Sequence, residues 1–544
     1  MMSIFKFFKK ESSSITSAAI LLGVASLASR AVGLLRDRLL ASNFGAGDTL
    51  DAYYAAFKIP DLIFTLLIVG ALSTAFIPIF TKLKSAHKEN NPTKNEAWKL
   101  VNNCVHLLAI LLFIVVVLLE LFTPRLMYVL APGFSNEKRD LTVTLTRIMF
   151  LSPIFLSISA LFGGVLQSMQ KFFVFAIAPI FYNIGIIIGI TVLYPLLGVT
   201  GLAWGVVAGA FLHCVVQYID AQRSGYHWFW YFNIRDVNVK KILYLMIPRT
   251  MGVSISQINI LIITGFATTL SAGSVAVFNL AYNLQSFPLS LFGIGFALAA
   301  FPLLSREAGK NNMGKFIETL TQTARKILFF MIPASLVFLL IRAQIVRVVL
   351  GSGSFDWNDT IQTADTLAFF ALSLFAQGLV PLLSRAFFAL EDSKTPFVIG
   401  VVSEIINLGA AYIGMRAYGV AGLALGASMG NIFNVVILWL VLRIRLHTLH
   451  ENLLIQSLIQ ISMGAMLLAL VTQGIKTWLG SMLPLTSFIN VAIQGGAAAT
   501  AGLAAYGAVL FALKNEEMLD LVASLKKKFT RTDQISASDI SLPS

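Results

Sequence analysis

Residues 29–80 read SRAVGLLRDRLLASNFGAGDTLDAYYAAFKIPDLIFTLLIVGALSTAFIPIF. This stretch has the apolar content of two membrane-spanning helices, yet it carries Arg30, Arg36, Asp37, Asp51 and Lys58. An ionisable side chain at membrane depth is costly unless it faces a partner or a water-filled cavity, so it marks a route for something polar. Three of these five charges are positive, so a negatively charged group is the expected cargo of such a route.

The composition of the chain is typical of a membrane protein. Of its 544 residues, 57% are hydrophobic and 12% are charged, and the mean hydropathy is +0.81. A soluble protein of this length has about a quarter of its residues charged. Strand-like alternation is too poor for a membrane barrel, so helices remain. We predict an all-α polytopic membrane protein.

The net charge of +14 excludes few functions by itself. The basic residues lie in short loops between apolar runs, which is typical of the cytoplasmic side of a membrane protein and not of a nucleic-acid-binding surface. Cys104 and Cys214 lie within apolar runs and are interpreted as small buried hydrophobic residues. His447 and His450 share a helical face, but Glu451 is the one acidic residue near them and no cysteine is close, so they do not indicate a metal site. We expect no metal, no cofactor and no enzymatic activity.

About fourteen apolar runs approach the length of roughly 20 residues that spans a bilayer. They lie at 15–42, 50–81, 98–123, 142–169, 173–195, 200–221, 241–269, 274–304, 318–341, 362–390, 396–415, 419–442, 454–475 and 487–513. The N-terminus resembles a signal peptide, but its apolar run continues into Arg30, so it is interpreted as the first helix. Placing the lysine- and arginine-rich loops inside puts both termini in the cytoplasm.

The chain repeats itself at a spacing of about 221 residues. Gly198-Val-Thr-Gly201-Leu-Ala-Trp-Gly205-Val-Val-Ala-Gly209 returns as Gly419-Val-Ala-Gly422-Leu-Ala-Leu-Gly426-Ala-Ser-Met-Gly430. The spacing contains about six spans, so the two copies should have the same orientation, with the substrate site between them. The glycines have small-xxx-small spacing, which predicts close helix packing.

This repeat predicts two parallel-repeat six-helix lobes plus two C-terminal helices. The expected domains are an N-terminal lobe at 1–226, a C-terminal lobe at 227–447, two additional transmembrane helices at 448–514 and a cytoplasmic tail at 515–544. Residues 516–529 of the tail have the pattern of an amphipathic helix at the membrane surface.

A set of motifs resembles one known family. Arg30-Ala-Val-Gly33-Leu-Leu-Arg36-Asp37, Phe57-Lys58-Ile59-Pro60, Ala131-Pro-Gly-Phe134, Gly252-Val-Ser-Ile-Ser-Gln257 and Lys394-Thr-Pro396 occur in order along nearly the whole chain. They resemble the MurJ (MviN) family of lipid II flippases, in the multidrug/oligosaccharidyl-lipid/polysaccharide exporter superfamily. The resemblance implies a transporter of a lipid-linked peptidoglycan precursor in cell-wall biosynthesis.

Five residues are candidates for substrate binding: Arg30, Arg36, Lys58, Arg249 and Asn283. Arg30 and Arg36 are six residues apart, about 120° around a helix, so they border a wide cavity and not a narrow stripe. The alternative for Arg36 is an ion pair with Asp37. The alternative for Lys58 is a pair with Asp51 or Asp61, and Pro60 beside it suggests a kink. Arg249 either reaches the cavity or extends to the headgroups.

Glu404 and Asn407 lie one turn apart in a predicted span, where a carboxylate either binds a coupling ion or pairs with an arginine. Asn183 is the repeat counterpart of Asn407. The chain departs from the family where arginines are expected, at Phe64 and Asn283, and it has Val69 where an acid is common. These departures predict weaker binding of lipid II than in a relative with those arginines.

We therefore expect a flippase that moves lipid II across the bacterial cytoplasmic membrane by alternating access. The alternatives are a flippase for another polyprenyl-diphosphate-linked glycan, a multidrug or cation antiporter, and a scaffold for the cell-wall machinery. The expected partners are the lipid-linked oligosaccharide diphosphate, the bilayer and cell-wall synthesis proteins, with no nucleic acid.

Overall fold

The computed structural model describes residues 15–66, 75–86, 95–484, 487–524 and 526, and every regular element within these ranges is helical. Side chains at 15–20, 22, 247–249 and 251–253 lie outside the description. The helices are α1 Ile15–Phe44, α2 Asp48–Phe64, α3 Ile77–Ala86, α4 Glu96–Leu130, α5 Asn136–Met149, α6 Leu151–Ser168, α7 Phe172–Ile188, α8 Tyr194–Leu197, α9 Thr200–Arg223, α10 Val237–Thr268, α11 Ser274–Pro288, α12 Gly295–Gly309, α13 Met313–Leu340, α14 Arg342–Val349, α15 Trp357–Ala371, α16 Leu374–Ala389, α17 Lys394–Tyr418, α18 Val420–Leu446, α19 Glu451–Met482 and α20 Phe488–Ala512.

The spans predicted from apolar runs recur as helices. Within the described ranges, ten helical segments are long and apolar enough to cross a membrane, or eleven when the bent pair α15 and α16 counts as one. Each of these coincides with a predicted run. The predicted runs at 15–42, 50–81 and 241–269 include residues or side chains outside the description. The all-helical membrane fold is confirmed, while the count of about fourteen stays a prediction.

Two compact units make up the chain. One contains residues Met1–Leu280 and Val349–Asp359, and the other contains Ala281–Val348 and Thr360–Ser544. In the first unit, α9 packs on α6 and α7, α1 packs on α7, and α2 packs on α5. In the second, α17 packs on α18, α19 packs on α20, and α16 packs on α12, α13 and α18. The predicted domain boundaries at 226/227, 447/448 and 514/515 stay predictions.

The repeated glycines lie where two helices touch. A Cβ on Gly209 of α9 would lie 2.4 Å from the Tyr182 carbonyl oxygen of α7, and one on Gly205 would lie 2.4 Å from the Gly189 Cα. In the second unit, a Cβ on Gly430 would lie 2.8 Å from the Asn407 Cβ. These distances are far below van der Waals contact, so the predicted close packing of the repeated glycines is confirmed.

Backbone geometry repeats at the same spacing. Gly198, just before α9, and Gly419, just before α18, have φ angles of +62° and +57°. Only glycine adopts such angles without steric cost, which explains why both copies of the repeat begin with it. The two glycines therefore start equivalent helices in the two units.

Three features of the helices differ from simple apolar spans. One π-helical segment, Gly189–Leu193, follows α7, and another, Leu289–Ile294, follows α11. Helix α15 meets α16 at an angle of 45°. Helix α2 continues through Pro60.

Cys104 and Cys214 are free and half-buried, not fully buried as predicted, because each lies on a helix face that is only partly covered.

In the described part of the tail, residues 516–524 form a helix. It packs on the second unit through Glu517, whose Oε1 lies 2.6 Å from the Arg325 Nε of α13 and whose Oε2 accepts a hydrogen bond from the Ser457 hydroxyl of α19 at 3.2 Å. Both charged side chains of this ion pair are buried. This part of the tail thus packs on helices of the second unit, whereas the sequence pattern predicted that it lies on the membrane surface.

Candidate functional site

Arg36 is the best-defined of the predicted cations. On α1, its Nε and Nη2 donate to Asp37 Oδ1 at 3.0 and 2.7 Å, and its Nη1 donates to Asn183 Oδ1 of α7 at 3.0 Å. The Arg36 side chain keeps 21% of its surface exposed, while Asp37 is buried. The ion pair with Asp37 proposed from the sequence is present. It fixes the guanidinium in one orientation, because that group is planar and donates in a rigid fork.

Arg30 lies six residues earlier on α1 and is half-buried. Its predicted contribution to the same cavity as Arg36 stays a prediction. The structure places Gly33 between the two arginines, and a Cβ there would make ordinary contact with the Asn183 amide at 3.9 Å. The face of α1 between Arg30 and Arg36 thus rests on α7.

Lys58 of α2 donates from Nζ to Asn279 Oδ1 of α11 at 2.8 Å. Asn279 is held in turn by its amide donating to the Val275 carbonyl at 2.7 Å. Asp61, one turn after Lys58, interacts electrostatically with both Lys58 and Arg36. The described part of the first unit therefore brings together two cations and, counting Asp37, two carboxylates. We call Arg36, Asp37, Lys58 and Asp61 the charged cluster.

Asp51 does not pair with Lys58, contrary to one of the two partners considered from the sequence. Its carboxylate lies 2.7 Å from Lys138 Nζ and accepts hydrogen bonds from the Gly273 and Ala276 amides at 2.7 and 2.8 Å. Asp51 and Lys58 are two helical turns apart, about 10 Å along the axis, which separates them. The Asp51 carboxylate instead accepts hydrogen bonds at the N-terminus of α11, where the first backbone N–H groups have no partner within the helix and carry a partial positive charge.

Glu404 and Asn407 face each other on α17 in the second unit. Asn407 Nδ2 donates to Glu404 Oε2 at 3.1 Å, and Glu404 also interacts electrostatically with the Tyr282 phenol of α11. In the first unit the equivalent residue, Asn183, accepts from Arg36 instead. The same position of the repeat therefore contacts a cation in one unit and an anion in the other.

The remaining candidates are less defined. Asn283 is half-buried on α11, and its backbone carbonyl accepts from the Ser286 hydroxyl at 2.7 Å. The side chain of Arg249 lies outside the described residues, so both of its predicted positions stay predictions. Phe64, which replaces an expected arginine, is half-buried at the end of α2.

A polar chain in the second unit was not predicted. Gln377 Nε2 donates to Gln285 Oε1 at 3.1 Å and to the Ser373 hydroxyl at 2.9 Å, and that hydroxyl lies 2.8 Å from the Ser428 hydroxyl. Buried polar groups are stable only when they are hydrogen-bonded, and here they link α11, α16 and α18. Glutamines and serines within apolar runs were the only signal in the sequence, and it does not reveal which of them meet.

The charged cluster can bind an anion if the anion displaces or supplements its carboxylates. Charge-assisted hydrogen bonds from an arginine to a phosphate are short and strong, and they are often bidentate. The Glu404 and Asn407 pair offers oxygen atoms, which suit small hard cations. The described side chains thus provide a cation-bearing site in the first unit and an oxygen-bearing pair in the second.

The chain is similar to known proteins along most of its length. The family model for the lipid II flippase MurJ matches residues 40–492, which begin just after Arg36. A probable lipid II flippase MurJ of Rhizobium tropici is 30% identical over 80% of this chain and 83% of its own. The lipid II flippase MurJ of Burkholderia cenocepacia is 30% identical over 77% of this chain and 82% of its own.

Solved structures are also similar to this chain over most of its length. A lipid II flippase MurJ in an inward closed conformation superposes with a TM-score of 0.75 at 25% identity, covering 91% of this chain and 100% of that one. An inward-facing multidrug resistance MATE family transporter of the MOP superfamily superposes with a TM-score of 0.61 at 19% identity, covering 79% of this chain and 99% of that one. The second likeness concerns the fold alone.

Proposed function

The chain belongs to the MurJ family of lipid II flippases, and from this we propose that the charged cluster on α1 and α2 binds the diphosphate of lipid II. The chain is a multi-pass membrane transporter. We infer further that it lies in the bacterial cytoplasmic membrane with both termini in the cytoplasm, works by alternating access and acts beside cell-wall synthesis proteins.

The observation that carries the proposal is the orientation of Arg36. Asp37 and Asn183 hold its guanidinium from two sides, yet a fifth of the side chain stays exposed. A preoriented guanidinium loses little conformational freedom when it binds a phosphate. Arg30 and Lys58 are the additional cations that would bind the second phosphate, and Arg249 and Asn283 would contact the rest of the headgroup.

The test replaces both members of the ion pair. Removing Arg36 alone would take the ion pair away from the buried Asp37 carboxylate, so the informative variant is Arg36→Gln with Asp37→Asn. We expect lipid II binding by the purified protein to fall about 10- to 100-fold, since a hydrogen bond to a charged group contributes about 1.5–3 kcal/mol. Complementation of MurJ-depleted cells should fail.

The control is Arg38→Gln, which removes a half-buried arginine of the same helix that donates to the Val349 carbonyl at 3.3 Å. It should keep lipid II binding within about threefold. The proposal is wrong if the double variant folds, shown by an unchanged elution profile and thermal midpoint, and still binds lipid II as the wild type does.

We also propose that Glu404 and Asn407 form the coupling-ion site. The support is a half-buried carboxylate on a membrane-spanning helix with an amide one turn away, an arrangement that can offer several oxygens to a sodium ion or hold a proton. In proteoliposomes, Glu404→Gln should abolish the dependence of lipid II flipping on the ion gradient. Glu318→Gln, an exposed glutamate of α13 bonded to Gln322, is the matched control and should keep it. Unchanged gradient dependence in Glu404→Gln would remove this site from the mechanism.

A further inference from the structure

The segment between α9 and α10 is held rigidly against α4. Asn102 Nδ2 donates to the His227 carbonyl at 3.1 Å, and Asn102 Oδ1 accepts from the Phe229 amide at 3.2 Å and from the Tyr226 hydroxyl at 2.9 Å. Four residues further along the segment, Asn103 and the Asn233 backbone exchange two hydrogen bonds of 2.9 and 2.8 Å. Residues 227–233 are thereby fixed at both ends by side chains of one helix.

Between these two attachments the side chains alternate. Trp228, Trp230 and Phe232 are 59%, 69% and 41% exposed, whereas Phe229 and Tyr231 are half-buried. Phe229 packs on the aromatic core that contains Trp98 and Tyr226. An extended chain presents alternate residues to opposite sides, so three large aromatic side chains share one outward face. We call Trp228, Trp230 and Phe232 the aromatic face.

The aromatic face lies where the surface of α4 changes character. The rings of Trp230 and Trp228 pack on the His106 ring, with centroids 4.5 and 5.9 Å apart. One turn further along α4, about 6 Å, the exposed side chains become uniformly apolar. They are Ile110, Leu111, Phe113, Ile114, Val117 and Leu118. The tryptophans therefore lie at the boundary between the polar start of α4 and its lipid-compatible surface.

Exposed cations flank the segment that carries the aromatic face in the sequence. Arg223, Arg235, Lys240 and Lys241 are exposed at or beside the ends of the segment. The acidic residues near them are few: Asp236 accepts hydrogen bonds from the first amides of α10, and Asp220 is half-buried. Exposed basic residues thus outnumber acidic ones in the sequence on either side of the tryptophans, which suits an anionic partner.

We propose that residues 227–233 are an interfacial anchor that binds the surface of an anionic bilayer. Trp228, Trp230 and Phe232 enter the region between the hydrocarbon and the headgroups, where amphipathic aromatic rings are favoured. Arg223, Arg235, Lys240 and Lys241 bind the phosphates of anionic phospholipids in the same leaflet, and juxtamembrane cations are attracted by such lipids. The anchor fixes the connection between α9 and α10 to the membrane surface. A protein partner could bind the aromatic face only if that face were exposed to water and not inserted in the bilayer.

The test measures fluorescence quenching of the full-length protein in nanodiscs. The double variant Trp228→Phe and Trp230→Phe removes two of the seven tryptophans, so the difference from wild type isolates their emission. We expect this difference to be quenched strongly by lipids brominated near the headgroup, weakly by lipids brominated near the chain end, and little by aqueous iodide. The control difference, from Trp98→Phe, reports a tryptophan that is 3% exposed and should respond to none of the three quenchers.

The contribution of charge is tested with two nanodisc compositions, phosphatidylcholine alone and equal parts phosphatidylcholine and phosphatidylglycerol. Shallow quenching should be about twofold stronger in the anionic discs, because each cation near the surface adds to binding. Arg235→Gln with Lys240→Gln and Lys241→Gln should remove that difference. Strong quenching by iodide with none by shallow bromine would overturn the proposal in favour of a soluble partner. Equal quenching in the two compositions would overturn it as well.

Discussion

Asp61 interacts electrostatically with both Arg36 and Lys58, so its negative charge opposes the binding of an anion to them. The carboxylate interacts with both cations, and Asp37 already occupies one side of Arg36. An incoming diphosphate must therefore compete with carboxylates that are part of the protein. At an effective dielectric near 20, two unit charges about 4 Å apart interact by about 4 kcal/mol, so removing one carboxylate has a measurable effect.

We predict that Asp61→Asn strengthens lipid II binding. The amide keeps the size of the side chain but removes a negative charge beside both cations, so the dissociation constant should fall about tenfold, which corresponds to ~1.4 kcal/mol. Titration of the purified protein with lipid II measures it. Asp48→Asn is the control, because the Asp48 carboxylate binds Lys138 at 2.7 Å and not the cluster, and it should leave affinity unchanged. Equal or weaker binding in Asp61→Asn would show that this carboxylate does not oppose the substrate.

Sequence reasoning identified which residues are unusual but not what they contact. Charges inside apolar runs drew attention to Arg36 and Lys58, and an ion pair with the adjacent Asp37 was one of the two alternatives for Arg36. Asn183, Asn279 and Lys138 were not linked to them, because those contacts join helices that are distant along the chain and depend on which helix faces meet. The substrate-binding roles of Arg30, Arg36, Lys58, Arg249 and Asn283 stay predictions.

At the level of helices, the contact between α7 and α9 depends on glycine. Gly185 and Gly209 face each other so closely that a Cβ on Gly185 would lie 2.1 Å from the Gly209 Cα. Backbones this close gain many dispersion contacts, which is how helices associate in a membrane where the hydrophobic effect contributes little. No side chain fits between them.

We predict that Gly209→Ala destabilises the protein by about 1–3 kcal/mol, since an added methyl group forces the helices apart. The midpoint of thermal unfolding in detergent should fall. Gly400→Ala is the matched control, also within a helix but with nothing within 4 Å of its Cβ position. There the midpoint should stay or rise slightly, because alanine favours helix by about 0.8–1.0 kcal/mol over glycine. Equal midpoints in both variants would contradict the packing argument.

Apolar length and repetition predicted most of the helices, because a membrane span must satisfy its backbone internally and needs a minimum length. The π-helical segments and the bend at Ser373 were not predicted. An extra residue in a helical turn changes backbone hydrogen bonding without changing hydrophobicity, so composition and periodicity do not reveal it. Helix α2 continues through Pro60, and the predicted kink there stays a prediction.

At the scale of the whole molecule, the tail is part of the second unit. The helix over residues 516–524 contributes Glu517 to a buried ion pair with Arg325, and Asn515 donates to Gln460 Oε1 of α19 at 2.8 Å. Glu516 also contacts Arg325, at 2.9 Å, but its side chain is 72% exposed. Two neighbouring glutamates thus bind one arginine in very different surroundings.

We predict opposite outcomes for these glutamates. Glu517→Gln leaves the buried Arg325 without its buried counter-charge and should lower the free energy of unfolding by about 3–5 kcal/mol. Glu516→Gln removes a carboxylate that is 72% exposed and leaves Glu517 on Arg325, so it should cost at most about 1 kcal/mol. Thermal unfolding and limited proteolysis of the tail measure both. A similar loss in the two variants would mean that burial does not determine the strength of this ion pair.

The asparagines at 183 and 407 occupy equivalent positions of the repeat but have different partners. An amide carries a hydrogen-bond acceptor and a donor on the same side chain, so the same residue type serves a guanidinium in one copy and a carboxylate in the other. Only the neighbours differ: Arg36 lies beside one copy and Glu404 beside the other. One amide side chain can therefore occupy both copies of a repeat while the charge beside it changes sign.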